Sequence, residues 1–238
     1  VHPAIGLGAE LHLNSRWALQ LGYKNAAVSG ADSYSTQEGF RVRNLSFESK
    51  INELQASLRY YPLGYIPEQK RWSPYFFTGV TLFHFNPMAE YQGNWVELQP
   101  LGTEGQGTSA FPDRKPYRLT QIAVPLGGGV KYLLSPSLAV GVEGTLQVTF
   151  TDYLDDLSNT YVDPAILIAE NGLMAYHLSN RTGEYLGGEP TLKTSTSPRG
   201  NPDVNDYYGY FGVTFSFIFP SGFIESAAAK RANIGCGK

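Results

Sequence analysis

The sequence predicts an all-β fold: a small antiparallel transmembrane β-barrel of the outer-membrane type. Three observations carry this expectation. Apolar residues alternate with small or polar ones along most of seven segments, the polar face of those segments holds few charges, and the connections between them alternate between shorter and longer. The segments lie at 4–13, 17–29, 51–61, 75–85, 119–134, 138–151 and 207–219.

Composition agrees with strands. Of 238 residues, 42% are hydrophobic and only 16% charged, with 16 Tyr, 13 Phe, 3 Trp and 26 Gly. Few charges with many aromatics and glycines suit sheets better than helices. A net charge of −3 excludes a protein built mainly to hold nucleic acid. The single Cys236 excludes an internal disulfide framework and a Cys-rich zinc module. The strongly apolar stretch 207–224 is interrupted by Gly209, Gly212, Pro220 and Gly222, and its centre alternates with period two, which is a strand pattern rather than a helical span.

In chain order, the first segment sets Ile5, Leu7, Ala9, Leu11 and Leu13 against Glu10 and His12. The second sets Trp17, Leu19, Leu21 and Tyr23 against Gln20 and Lys24, and the third Leu54, Ala56, Leu58 and Tyr60 against Glu53, Gln55 and Arg59. The fourth, 75–85, is apolar on both faces and leaves its phase open. The fifth sets Ile122, Val124, Leu126, Val130, Tyr132 and Leu134 against Gln121 and Lys131. Pro125 within it lacks an amide hydrogen, so a bulge or local break is expected there. The sixth places every second residue from Leu138 to Phe150 opposite Glu143 and Gln147, and the seventh sets Phe211, Val213, Phe215, Phe217 and Phe219 against Thr214 and Ser216.

The assigned apolar faces contain no charge, and the polar faces carry Glu10, Lys24, Glu53, Arg59, Lys131 and Glu143, three acids and three bases. A solvated face would hold many more. A few balanced charges among Gly, Ala, Ser and Thr fit a narrow lumen in which each ion needs a partner. A soluble lipocalin-like barrel, apolar inside, is the alternative.

Connections 14–16, 62–74 and 135–137 are expected as periplasmic turns, and 30–50, 86–118 and 152–206 as extracellular loops. The barrel then spans 1–219 with 220–238 as a periplasmic tail, and Trp17, Tyr23, Tyr60, Tyr75, Tyr132 and Tyr207 form interfacial girdles. Segment 4–13 would start on the extracellular side, and seven strands is an odd number where bacterial barrels are even. Eight strands are therefore expected, with a further strand before Val1 or from another chain between 4–13 and 207–219.

Little in the chain reads as catalytic. His2, His12, His84 and His177 lack metal-binding helical spacing, and no Gly-x-Ser-x-Gly elbow occurs. His12 reads as a lumenal histidine satisfied by Glu10; a lipid enzyme would need His12 or His84 beside a rim Ser or Asp. The acids Asp152, Asp155, Asp156 and Asp163 lack EF-hand spacing and read as turn caps, with ion binding left open. Gly127 to Gly129 sit inside a strand, where a phosphate loop does not form. The run from Pro164 to Gly172 predicts a short loop helix packed under its loop. No enzyme activity and no cofactor are expected.

Several loops are more specific. These are Arg43-Asn-Leu-Ser-Phe47, Phe85-Asn-Pro-Met-Ala with Asn94-Trp-Val-Glu-Leu-Gln-Pro-Leu-Gly-Thr-Glu-Gly-Gln-Gly107, Thr149-Phe-Thr-Asp-Tyr-Leu-Asp-Asp-Leu-Ser-Asn-Thr-Tyr-Val-Asp163 and Arg199-Gly-Asn-Pro-Asp-Val-Asn-Asp-Tyr207. Together they resemble the PorG-like outer-membrane β-barrel family of Bacteroidetes, over most of 3–219. The terminal Tyr210-x-Gly212-x-x-Phe215-x-Phe217 also resembles an outer-membrane insertion signal. The resemblance implies a type IX secretion component in the outer membrane that tethers a periplasmic PorK–PorN-type ring. Lipid, the ring lipoprotein and its partner are then the expected partners, with no nucleic acid and no small-molecule substrate. The surface for the ring would be the short-turn side: Asn14, Ser15, Arg16, Tyr65, Glu68, Lys70, Arg71, Ser135, Ser137 and the tail. The alternative is a barrel for ligand binding or small-solute transport.

Overall fold

The computed structural model describes residues 2–65 and 71–219; Glu68, Lys70 and the tail 220–238 with Cys236 lie outside the described residues. One antiparallel sheet dominates. Its strands are β1 (Ile5–His12), β2 (Trp17–Ala31), β3 (Ser46–Tyr60), β4 (Trp72–Tyr91), β5 (Asn94–Glu97), β6 (Thr120–Ser135), β7 (Leu138–Thr149) and β8 (Tyr207–Phe217). The order across the sheet is β1-β2-β3-β4-β6-β7-β8, with β5 paired to β4 alone. The seven alternating segments thus form the path, and β5 is a short loop strand that folds back onto β4.

Every neighbour is antiparallel, so six steps bring β8 back to the direction of β1. Among the described residues these two edge strands do not pair. The sheet is nevertheless strongly curled into a half-barrel. Side chains on β1 reach β6, and side chains on β3 reach β7 and β8, across the concave face.

The period-two pattern sorts residues onto the two faces. On the convex face Ile5, Leu21, Ile122 and Phe215 are exposed, Phe211 at 82%, whereas on the concave face Glu53 is 1%, Arg59 3% and Lys131 5% exposed. The sheet is apolar outside and ionic inside, the reverse of a water-soluble β-sheet core.

The open phase of 75–85 resolves here. Tyr75, Phe77, Thr81, Phe83 and Phe85 of β4 face inward and are buried, while Phe76, Val80 and Leu82 face outward. The inward rings form apolar floors at the two ends of the concave face. Phe83 and Phe85 pack with Ile51, Ala123 and Tyr208 and with Tyr117 and Leu154 from the loops. Tyr75 and Phe77 pack with Ala18, Tyr61 and Tyr65. A strand that serves a dry floor on one side and an apolar outer surface on the other has no polar face to reveal its phase.

The glycine run of β6 follows from those rings. Phe77 pairs with Gly127 and Tyr75 with Gly129 across the β4–β6 ladder. A Cβ at Gly127 would sit 2.2 Å from Phe77 Cζ, and one at Gly129 2.3 Å from the Val142 carbonyl oxygen. Pro125 interrupts the same ladder: pairing stops after Thr78↔Leu126 and resumes at Thr81↔Ala123 in unchanged register. The irregularity is a break and not a bulge, because the β7 side keeps its pairing at Pro125↔Gln147.

Two loops contain more regular structure than their sequences reveal. β3 begins at Ser46, inside the expected loop 30–50, and β4 continues to Tyr91, where Gln92 (φ 52°) and Gly93 (φ 80°) turn the chain into β5. Two consecutive left-handed residues are what a tight hairpin turn demands. α1 (Glu38–Arg43) lies between β2 and β3. The segment 152–206 folds over the end of the sheet with α2 (Pro164–Asn171), α3 (Leu173–Ser179) and α4 (Thr182–Leu186). Pro164 starts α2, where its missing N–H costs nothing. Leu167 of α2 packs with Val162 and with Ala175 of α3.

Candidate functional site

The concave face holds two polar networks, one toward the turn end of the sheet and one toward the loops. In the first, Glu10 on β1 accepts from Lys131 Nζ at 2.8 Å and lies 3.3 Å from Arg59. Arg59 Nη2 donates to Glu143 Oε2 at 2.7 Å, and Nε and Nη2 donate to Gln20 Oε1 at 3.0 and 2.6 Å. The hydroxyls of Tyr61 and Tyr75 donate to Glu10 and Glu143 at 2.6 and 2.8 Å. In the second network Glu53 Oε1 accepts from Tyr208 and Tyr210 at 2.6 and 2.7 Å, and Lys24 Nζ lies 3.8 Å from Oε2. All six interior charges therefore have a partner of opposite sign. Such pairing is required where desolvation is severe, since removing one partner strands the other.

The turn end is closed by rings. His12 pairs with Glu10 at 2.8 Å and stacks on Tyr65 with centroids 4.5 Å apart. Tyr65, expected on the partner-facing surface, is buried with its ring turned inward. Its amide donates to the Ser15 carbonyl at 2.6 Å and that of Tyr61 to the Arg16 carbonyl at 2.8 Å, tying the 62–65 connection to the first turn. Asn14, Ser15, Arg16, Arg71, Ser135 and Ser137 are exposed at this end. The Asn14 side chain accepts from the amides of Arg16 and Trp17 at 2.8 and 3.0 Å, which sets the tight turn.

The loop end carries a cluster that no local sequence pattern announces. The buried Arg199 reaches Glu104 Oε1 at 3.1 Å and Asp156 Oδ2 at 3.3 Å, and its Nη1 also donates to the Asp156 carbonyl. Glu104 further accepts from the amides of Ser158 and Asn159 at 3.0 and 2.9 Å. Asp156 accepts from the hydroxyls of Thr103 and, at 2.8 Å, Tyr117. Arg43 forks onto Asp32 at 2.7 Å and donates to the Arg199 carbonyl at 2.7 Å. The segments Arg43–Phe47, Asn94–Gly107, Thr149–Asp163 and Arg199–Tyr207 converge here into one ion-paired cap. Burial pushes the Asp156 carboxyl up, against the pull of Arg199, and burial pushes the Tyr117 hydroxyl up, reinforced by Asp156.

Of the acids singled out by sequence, Asp156 is an ion-pair partner, Asp155 accepts from the Leu157 amide at 3.1 Å, and the Asp163 carbonyl accepts from the amides of Ile166 and Leu167. Among the described residues no three His, Cys, Asp or Glu side chains gather to hold a metal. His84 bonds Thr120 at 3.0 Å, His2 bonds Ser29 at 2.8 Å and His177 stacks on Tyr91. Sequence reasoning missed Glu104, Tyr117 and Arg199, and with them Arg114, which donates to the Glu104 carbonyl at 2.8 Å, and Asp206, which accepts from the Leu154 amide at 2.9 Å. Glu104, Arg199 and Asp206 at least lie inside the loop segments quoted above, whereas nothing local marks Arg114 or Tyr117.

A curled antiparallel sheet with an apolar exterior, an ionic interior and an ion-paired cap is the class that this fold and site define. The chain belongs to the family described as a domain of unknown function (DUF6089), whose profile matches residues 1–165. That stretch holds β1 to β7, Glu104 and Asp156, while Arg199 and β8 follow it. No curated protein and no solved structure matches the chain.

Proposed function

We propose that the protein is an outer-membrane β-barrel component of the type IX secretion system, anchoring a periplasmic PorK–PorN-type ring to the membrane. The observation that supports this most is the inverted amphipathicity of the sheet, with Leu7, Leu21, Phe211 and Phe215 outward and Glu53, Arg59 and Lys131 inward. An outward apolar band facing lipid and a polar interior are the physics of a strand-built membrane protein. The secretion role rests on the resemblance of the loop segments and uses the exposed turns at Asn14 to Arg16 and Ser135 to Ser137.

This reading makes a geometric demand. β1 and β8 run the same way, and among the described residues their outer edges have no strand partner; each unsatisfied backbone group in hydrocarbon costs several kcal/mol. One further strand antiparallel to both would close an eight-stranded, wholly antiparallel barrel. Small-solute transport is less well supported, because paired charges and the Tyr61, Tyr65 and Tyr75 rings occupy the interior.

The test is extraction and co-purification of the full protein. The expected result is recovery only with detergent, heat-modifiable gel migration, and a ring lipoprotein in the eluate. Recovery in the soluble fraction without detergent overturns the membrane reading. A folded, detergent-dependent protein that brings no ring lipoprotein overturns the anchoring role alone.

A further inference from the structure

The convex face of the sheet changes chemistry within a single row. Tyr23, Leu54, Leu82 and Ile122 are cross-strand neighbours on β2, β3, β4 and β6, and all four are exposed. Two residues nearer the loops, the row on the same face is Asn25, Asn52, His84 and Thr120. The Tyr23 hydroxyl and Asn25 Nδ2 donate to Asn52 Oδ1 at 2.7 and 2.9 Å, and His84 bonds Thr120 at 3.0 Å. The side chains of this polar row therefore brace one another.

The next row carries bases. Lys50 lies between Ala27 and Asn86 in the ladders. The Phe85 amide donates to the Leu119 carbonyl at 2.9 Å, which continues the β4–β6 pairing past His84↔Thr120 and sets Arg118 beside Asn86. Lys50 and Arg118 thus flank Asn86, with two strand spacings of about 4.8 Å between their backbones. Both are exposed, and neither makes an ion pair among the described residues. Acids begin one row higher, with Glu48 and Glu97 on either side of Met88 and Glu90 beyond them; Glu97 is already held by Asn86 Nδ2 at 2.9 Å. The outer face is layered: apolar, then amide and basic, then acidic.

On the membrane reading, on which this inference rests, the layer just past Tyr23 and Leu82 is where hydrocarbon gives way to headgroups on the long-loop, outer side. We propose that this layer holds the phosphorylated sugar headgroup of an outer-leaflet glycolipid, its phosphates taken by Lys50 and Arg118 and its sugar lying over Asn25 and Asn52.

Charge and height select this class. A phosphate level with Asn86 has a base on each side and gains charge-assisted hydrogen bonds. One row higher it would meet Glu48 and Glu97, and one row lower the edge of the hydrocarbon band. A neutral headgroup leaves both bases without a counter-ion. A phosphate without sugar leaves the amide row to water, whereas sugar hydroxyls both donate to and accept from amides.

The experiment is native mass spectrometry of the full protein released from detergent with diphosphoryl lipid A. Phosphatidylglycerol supplies phosphate without sugar, and monogalactosyl diglyceride sugar without phosphate. The expected result is preferential retention of lipid A, weakened about fivefold in each of Lys50→Gln and Arg118→Gln and unchanged in Arg41→Gln, an exposed base of α1. Heat-modifiable migration reports that each variant has folded. Equal retention of phosphatidylglycerol means an adventitious anionic lipid only and overturns the proposal. Equal retention of the galactolipid, or undiminished lipid A in a folded Lys50→Gln and Arg118→Gln double variant, overturns it as well. A protein that needs detergent but shows no preference for lipid A overturns this inference alone. A protein recovered soluble without detergent overturns the membrane reading and this inference with it.

Discussion

Arg199 and Glu104 stand 95 residues apart in the chain, yet Nη1 and Oε1 lie 3.1 Å from each other with both side chains closed to solvent. The pair joins the segment that follows α4 to the loop that follows β5. Replacing Arg199 with Ala would leave Glu104 and Asp156 buried without their cation, a loss of about 3–5 kcal/mol. Arg199→Lys should not rescue it, because a single ammonium cannot serve Glu104, Asp156 and the Ser179 carbonyl at once. Limited trypsinolysis should show early cutting within 152–206 in both variants while the sheet persists.

Arg59 holds the turn-side network together. Arg59→Leu removes the cation from Glu143 and takes one of two from Glu10, which keeps Lys131. The expected cost is again about 3–5 kcal/mol, read as a lower midpoint of heat-modifiable migration or of urea unfolding. The double variant Arg59→Leu with Glu143→Leu should be less destabilised than Arg59→Leu alone. A loss in the double variant equal to the sum of the losses in Arg59→Leu and Glu143→Leu would mean that the pair is not coupled.

Gly127→Ala places a methyl where the Phe77 ring already lies. Overpacking of this kind costs about 1–3 kcal/mol. Adding Phe77→Leu should restore part of the loss, which a thermal unfolding series would detect.

The loop cap responds to pH. Asp155 is raised from 3.8 to about 7 by burial and then by Asp206, and Asp206 from 3.8 to about 6 by burial, with a further contribution from Asp152. Between pH 4 and 7 the folded cap therefore binds more protons than the unfolded chain, and these groups lower its stability as pH rises. Asp155→Asn should stabilise the cap relative to the parent, clearly at pH 8 and much less at pH 4. Rates of proteolytic nicking within 152–206 at the two pH values measure this difference.

How much of this was legible in the sequence follows from which neighbours each residue has. Glu10, Lys24 and Leu21 reveal their faces because strand geometry alone dictates a period of two. Phe83 and Phe85 do not, because the rings they pack against include Tyr117, which arrives from a distant loop. Nor does Tyr65, whose connection reads as a surface turn but folds its ring under His12. Arg199 is the extreme case: its partners Glu104 and Asp156 are fixed by how two loops cross, and no spacing in the chain encodes a crossing.

The interior pairs also set an order of assembly. Neighbouring strands such as β1 and β2 zip through a short turn, whereas Glu10 and Lys131 are 121 residues apart and Glu53 and Tyr208 are 155 apart. Contacts so distant in sequence close late, after the hairpins that bring them together. Until the sheet curls, these charges are open to water, and closing the interior takes that water from them. Interactions absent from the folding barrier act on the lifetime of the finished structure. A variant such as Arg59→Leu should therefore hasten the opening of the completed sheet and leave the pace of hairpin formation unchanged.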